Sequence, residues 1–214
     1  MPEYQPDVVD RPKADLAGRL QQQFGGLWTG VALHEGEVPS RAPAQHEMRL
    51  CEAIARSFLQ PIVLPAHKIG CPGARRALGL VDDDRAMAER MSQKAGVPFD
   101  TLHKALAETP SLVAPVTAVS LGPSHDAPDV VVGYVRPKEA MSLLRRWQVA
   151  YGHVPVVPLS SFLAICAWVV VRAHKLDEIC VSLGCFDSRQ FGGIGSDTMV
   201  VGMPFGRAEH IVST

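Results

Sequence analysis

Two stretches of this chain carry the same anchors in the same order, and that repetition constrains the fold more than any single segment does. The first runs Pro43, Cys51, Gly70-Cys71, Arg75 and Gly79; the second runs Pro158, Cys166, Gly184-Cys185, Arg189 and Gly192-Gly193. Proline to cysteine is 8 positions in each copy, cysteine to cysteine is 20 in one and 19 in the other, and cysteine to arginine is 4 in both. Cysteine is scarce, 5 residues in 214, so coincidence at this many anchors is a poor explanation. Each copy reads as helix, strand and Gly-Cys turn, which predicts two like halves packed about a pseudo-twofold axis with the two turns side by side. The first repeat covers about 43–80 and the second about 158–195, with a helical segment at 82–108 between them, inside one domain spanning 13–214.

Hydrophobic periodicity supplies the remaining elements. Helices are expected over 14–24, 46–58, 74–80, 82–95, 99–107, 138–151 and 160–174. Strands are expected over 27–33, 62–64, 113–121, 130–135, 179–183 and 199–202. Gly25-Gly26 should stop the first helix, and Asp82, Asp83 and Asp84 should cap the fourth. The run Trp168-Val169-Val170-Val171 suits a strand as well as a helix. Helices and strands interleave throughout, so the fold class is read as α/β or α+β. Residues 1–12 are polar and proline-containing and read as a flexible terminus.

Composition narrows the functions. A net charge of -1 with scattered basic residues gives no electrostatic footprint for nucleic acid or an anionic membrane. The longest apolar stretch, 162–171, is too short to span a bilayer. The N-terminus lacks the basic start and apolar run of a signal peptide, so a soluble, cytoplasmic protein is expected. An odd number of cysteines in a reducing compartment points to core residues, metal ligands or reactive thiols rather than disulfides.

Gly-Cys-x-x-x-Arg has a chemical logic. Gly70 and Gly184 permit a tight or left-handed backbone and close approach of a ligand. The residues after each cysteine open a helical turn whose free N–H groups favour an anion and a thiolate. Arg75 and Arg189, one turn on, can clasp a carboxylate or phosphate. Cys71 and Cys185 are therefore the candidate catalytic residues, with Arg75, Arg189, Gly70, Gly184 and Ser188 as ligand-binding residues. The blander reading is a helix start with a small buried cysteine and a surface arginine. Cys51 and Cys166 fall within helices, either as core or as the other half of a four-sulfur ligand set with Cys71 and Cys185, which would suit zinc or an iron–sulfur cluster. No Cys-x-x-Cys pair supports the metal reading. Cys180 reads as core. His67 is close enough in sequence to join the site, and the glycine-rich stretch 192–197 lacks the lysine of a phosphate-binding loop.

Cys51, Cys71-Pro72-Gly73-Ala74 with Leu78-Gly79, Cys166, and Ser182-Leu183-Gly184-Cys185 with Ser188-Arg189 together resemble the domain of unknown function 169 family, an uncharacterised archaeal conserved region. The resemblance runs over about 27–205. It implies a single compact domain marked by these four cysteines, and it carries no activity.

Three functions are open at this point, with the question of enzyme activity undecided. The first is a cysteine-ligated metal or iron–sulfur site between the half-repeats that binds a small anionic ligand. The second is a metal-free enzyme whose two thiols act on a small carboxylate, as in a racemase, isomerase or lyase. The third is a non-catalytic module for a small anion. A purely structural repeat is the fourth possibility. Partners are expected to be a small anionic molecule, with no nucleic acid or membrane, and a homo-oligomer is left open.

Overall fold

A computed structural model describes residues 15–214 apart from Asp82 and Asp126. The expectations for 1–12 and for Asp82 fall outside those residues. One six-stranded sheet runs through the centre, in the order β2-β3-β1-β4-β6-β5. Its strands are β1 (Leu27–His34), β2 (Ile62–Pro65), β3 (Ala118–Gly122), β4 (Val130–Val135), β5 (Cys180–Ser182) and β6 (Met199–Pro204). Every neighbouring pair is antiparallel. Interleaved helices and strands left α/β and α+β both open, and the antiparallel sheet decides for α+β.

Helices cover both faces of this sheet. On one face lie α1 (Leu16–Phe24), α6 (Pro137–Tyr151) and α9 (Phe205–Ser213), where Leu20, Leu143, Trp147 and Ile211 pack with Trp28, Val131, Val201 and Met203. The other face carries α2 (Leu50–Ser57), α3 (Pro72–Ala77), α4 (Asp84–Ala95), α5 (Phe99–Glu108) and a π-helical segment, Cys166–Val171. That segment continues as α7 (Arg172–Leu176), and α8 (Phe186–Phe191) follows β5. With both faces covered, β4 is buried at all six positions. This explains why Val130 to Val135 reads as an unbroken apolar run rather than as an alternating one.

Helix ends follow local chemistry. Gly25 and Gly26, both at positive φ, stop α1. The Asp83 carboxylate accepts the Ala86 N–H and caps α4. Boundaries differ where tertiary contacts compete. The helix expected over 46–58 begins only at Leu50, because Met48 is held in a parallel bridge with Ile69. The strand expected over 113–121 shrinks to β3, since Leu112 and Val116 donate instead to the carbonyls of Ala77 and Leu78. Of the helix expected over 160–174, residues 160–165 are irregular, with bends and a turn, and the next six are π-helical.

The π-helical segment seats on β6 because Gly202 leaves room. A Cβ there would meet Val169 Cγ1 at 2.6 Å and its carbonyl oxygen at 2.9 Å. Another close approach joins α2 to α8: a Cβ on Gly192 would lie 2.6 Å from the Ser188 carbonyl oxygen and 3.1 Å from Cys51 Cβ. Gly192→Ala is expected to destabilise the fold by about 1–3 kcal/mol through overpacking. Urea unfolding of the variant checks this, and a midpoint equal to wild type would contradict it.

A four-cysteine cavity as candidate functional site

Cys51 is the second residue of α2, and Cys166 opens the π-helical segment. Cys71 and Cys185 occupy equivalent places, each in extended conformation immediately before a six-residue helix, α3 or α8. Gly184 supports the second turn with φ of 82°, where a Cβ would press on Ser188 Oγ at 2.9 Å. Gly70, in contrast, is not at positive φ, and a Cβ there would make only ordinary contact with Glu47, at 3.5 Å from Oε2. The Ser188 hydroxyl accepts the Cys185 N–H at 2.7 Å, so it positions the cysteine by holding its backbone.

All four of these cysteines line one cavity of about 680 Å³ on the π-helical face of the sheet. The walls are otherwise largely apolar, with Met87 and Met91 from α4, Phe162, Leu163 and Ile165 before the π segment, and Phe186 and Phe191 from α8. The backbone is unusual at this wall. Val170 donates to the Ile165 carbonyl in a five-residue step, and Leu163 holds φ of 51°. Wide helical turns and left-handed non-glycine residues cost energy and concentrate at functional sites.

Burial raises the thiols of Cys51, Cys71 and Cys166. It pushes Cys51 up to about 12, with Cys185 and Cys71 adding to the effect. Cys166 is pushed well above the ordinary thiol value, first by burial and then by the charges of Cys71, Cys185 and Cys51. Cys71 is raised by burial, against the pull of backbone N–H groups of Ala74 and Gly73. Every pair among the four is thus close enough to feel its partner's charge. Backbone N–H groups also favour the charged form at Cys51, from Glu52, and at Cys166, from Ala167. Among the described residues, no three His, Cys, Asp or Glu side chains are gathered so as to hold a metal ion. A preformed tetrahedral zinc site, with sulfurs about 2.3 Å from one point, is therefore not found there.

In protein free of any bound cofactor, high thiol pKa values predict slow alkylation. At about pH 8, iodoacetamide should leave Cys51, Cys166 and Cys180 largely unmodified in the native state and label them on unfolding. Peptide mass mapping reads this, and rapid native labelling of Cys166 would contradict it.

The remaining candidates sit elsewhere. Arg75 donates to the Ala66 carbonyl at 3.4 Å and Arg189 to the Gly195 carbonyl at 2.9 Å, and neither lines the cavity. His67 lies in the 3₁₀ turn Ala66–Lys68 and is likewise absent from the lining. At the start of the glycine-rich stretch, Gly192 packs closely on Cys51. Cys180 is buried in β5 beside Arg172 and apart from the cavity, as its reading as core required. The charged groups that do line the cavity are Arg49 and Asp187, joined at 3.3 Å, with the Arg49 guanidinium 3.9 Å from the Phe191 ring centre. Cys71 Sγ lies 3.9 Å from Asp187 Oδ2. Arg49 carried no spacing signal, since it belongs to neither copy of the motif. Asp187 lies inside the second copy, but at one of its variable positions.

One more group faces the thiols from the sheet. The Tyr134 hydroxyl is buried and has no hydrogen-bond partner among the described residues. Burial raises its pKa, and the charges of Cys51 and Cys185 add to the rise.

Fold and site define an α+β protein with a four-cysteine cavity against one face of its sheet. The chain belongs to the domain of unknown function 169 family, described as an uncharacterised ArCR, whose model matches residues 31–214. No curated protein and no solved structure matches the chain. No described helix is long and apolar enough to cross a membrane.

Proposed function

We propose that this is an iron–sulfur protein in which Cys51, Cys71, Cys166 and Cys185 hold a cluster at one end of the cavity, leaving the other end open to a small molecule. The observation that carries the reading is the convergence of four cysteines from four helical segments on one cavity. Thiolates in an apolar setting are costly unless a cation neutralises them. A cluster supplies that charge, and it takes thiolates at its corners rather than at one point. Backbone N–H groups aimed at three of the sulfurs favour the same state, since such bonds tune a cluster's potential. The Tyr134 hydroxyl would gain an acceptor there.

Internal duplication belongs to the same proposal. The strand order supports it, because β2-β3-β1 and β5-β6-β4 follow one pattern, with the Cys71 and Cys185 turns leaving the two edge strands. Two halves brought together in this way would build one site from two copies of a weaker one.

Protein purified without oxygen should contain iron and acid-labile sulfide in near-equal amounts, with a broad visible absorption that bleaches on reduction. A second reading, a metal-free site using Cys71 and Asp187 as an acid–base pair, draws on their 3.9 Å approach. Metal-free anaerobic protein that cannot be reconstituted with ferrous iron and sulfide would sink the cluster and leave this second reading.

A further inference from the structure

Two arginine–carboxylate pairs flank α3, and they differ in a way that points to a ligand. Arg76 is spent on structure. Its Nη2 donates to Asp84 at 2.9 Å and to the Leu106 carbonyl at 2.6 Å, and its Nη1 donates to the Thr109 carbonyl at 2.8 Å. Arg49 is not spent. Among the described residues its side chain makes one hydrogen bond, from Nε to Asp187 Oδ2 at 3.3 Å, and its two terminal nitrogens have no acceptor. Asp187 is equally under-used, because the Arg49 Nε and Cys71 Sγ contacts both fall on Oδ2 and leave Oδ1 open. The side chains are 35% and 38% exposed, so a ligand entering the cavity can reach both. Phe191 beneath the guanidinium holds its plane in place.

These are the charged residues of a largely apolar wall that also carries Ser161, Ser188 and Gln190. A lone carboxylate would satisfy Arg49 while approaching Asp187 as a like charge. A lone amine would satisfy Asp187 while approaching Arg49. A molecule bearing both charges a short distance apart satisfies the two together, and an apolar tail would then lie against Met87, Met91, Phe162 and Leu163.

We propose that the cavity binds a small zwitterion, an α-amino acid with an apolar side chain, whose carboxylate takes the terminal nitrogens of Arg49 and whose ammonium takes Asp187. This deepens the reading above, since the bound molecule would sit beside the four thiolates, yet its recognition rests on Arg49 and Asp187 rather than on iron. The pair left half-satisfied by the fold is completed by the ligand, which is how a pre-formed site gains affinity without reorganisation.

Calorimetric titration of anaerobically purified protein with L-leucine, L-methionine and L-phenylalanine tests this. At least one should bind and raise the melting temperature. 4-Methylpentanoate and 3-methylbutylamine, each keeping one charge of leucine, should bind more than about tenfold weaker. Arg49→Gln and Asp187→Asn should each lose binding by a similar factor while melting near wild type without ligand. Should either variant fail to fold, the comparison of analogues on wild type still decides. No binding by any of the three amino acids, or equal binding by 4-methylpentanoate, overturns the proposal. Iron content measured on the same sample separates the two readings: iron without amino-acid binding refutes this inference alone, and binding by protein that neither contains iron nor takes it up on reconstitution refutes the cluster alone.

Discussion

Arg76→Met should lower the unfolding free energy by about 3 kcal/mol, the low end of the range for breaking a buried ion pair, because Asp84 keeps some solvent contact. Arg76 itself is only 7% exposed. Its guanidinium ties α3 to the start of α4 through Asp84 and to the end of α5 through the Leu106 and Thr109 carbonyls. Methionine fills much of the space but leaves two carbonyls and a carboxylate without their donor. Urea denaturation measures the loss, and a change below about 1 kcal/mol would show that the clamp is dispensable. The pair also sets a pH dependence. Hydrogen bonding to Arg76 holds the Asp84 carboxyl below its ordinary value. The stability it contributes is therefore present above the unfolded carboxylate pKa and lost as pH falls through the lower folded value. Asp84→Asn should flatten that acid limb while lowering stability at neutral pH.

Serine at any one of Cys51, Cys71, Cys166 or Cys185 should abolish or sharply reduce bound iron, whereas Cys180→Ser should leave it near wild type. The contrast is the informative part. Serine is an equally conservative replacement by volume at all five, and Cys180 is more buried than the other four, so non-specific damage to the core would affect it at least as much. Of the five, only the other four line the cavity. Iron and sulfide assays, with circular dichroism to confirm folding, read the series. Equal loss in all five variants would attribute the effect to stability, and loss confined to Cys71 and Cys185 would favour a two-thiol site.

Several parts of this protein could be read directly from residue order. The helix over α1 and its double-glycine stop, the β-branched run of β4, and the aspartate cap of α4 are local, and local propensity decides them. The matched spacing of Cys51 with Cys166 and of Cys71 with Cys185 was visible as well, because spacing needs no structure to be seen. The roles of Arg75 and Arg189 were not. An arginine one turn after a cysteine can swing to either side of a short helix, and here each found a carbonyl away from the cavity. Its neighbour Arg76 faces inward instead, a difference of one residue that rotates the side chain about 100° around the helix.

Asp187 was passed over for a related reason. It occupies a variable position of the motif, and its worth depends on Arg49, which lies 138 residues away in sequence. Antiparallel pairing was likewise hidden, since interleaved helices and buried strands suit either direction until the connections are traced. By itself the sequence determined the mix of helices and strands, the locally decided elements α1, α4 and β4, and the family to which the chain belongs, because each depends on neighbours or on spacing. Tertiary structure alone decided that four cysteines share one apolar cavity and that Arg49 and Asp187, rather than the motif arginines, carry its charge, because those outcomes depend on which way side chains face once distant segments have packed.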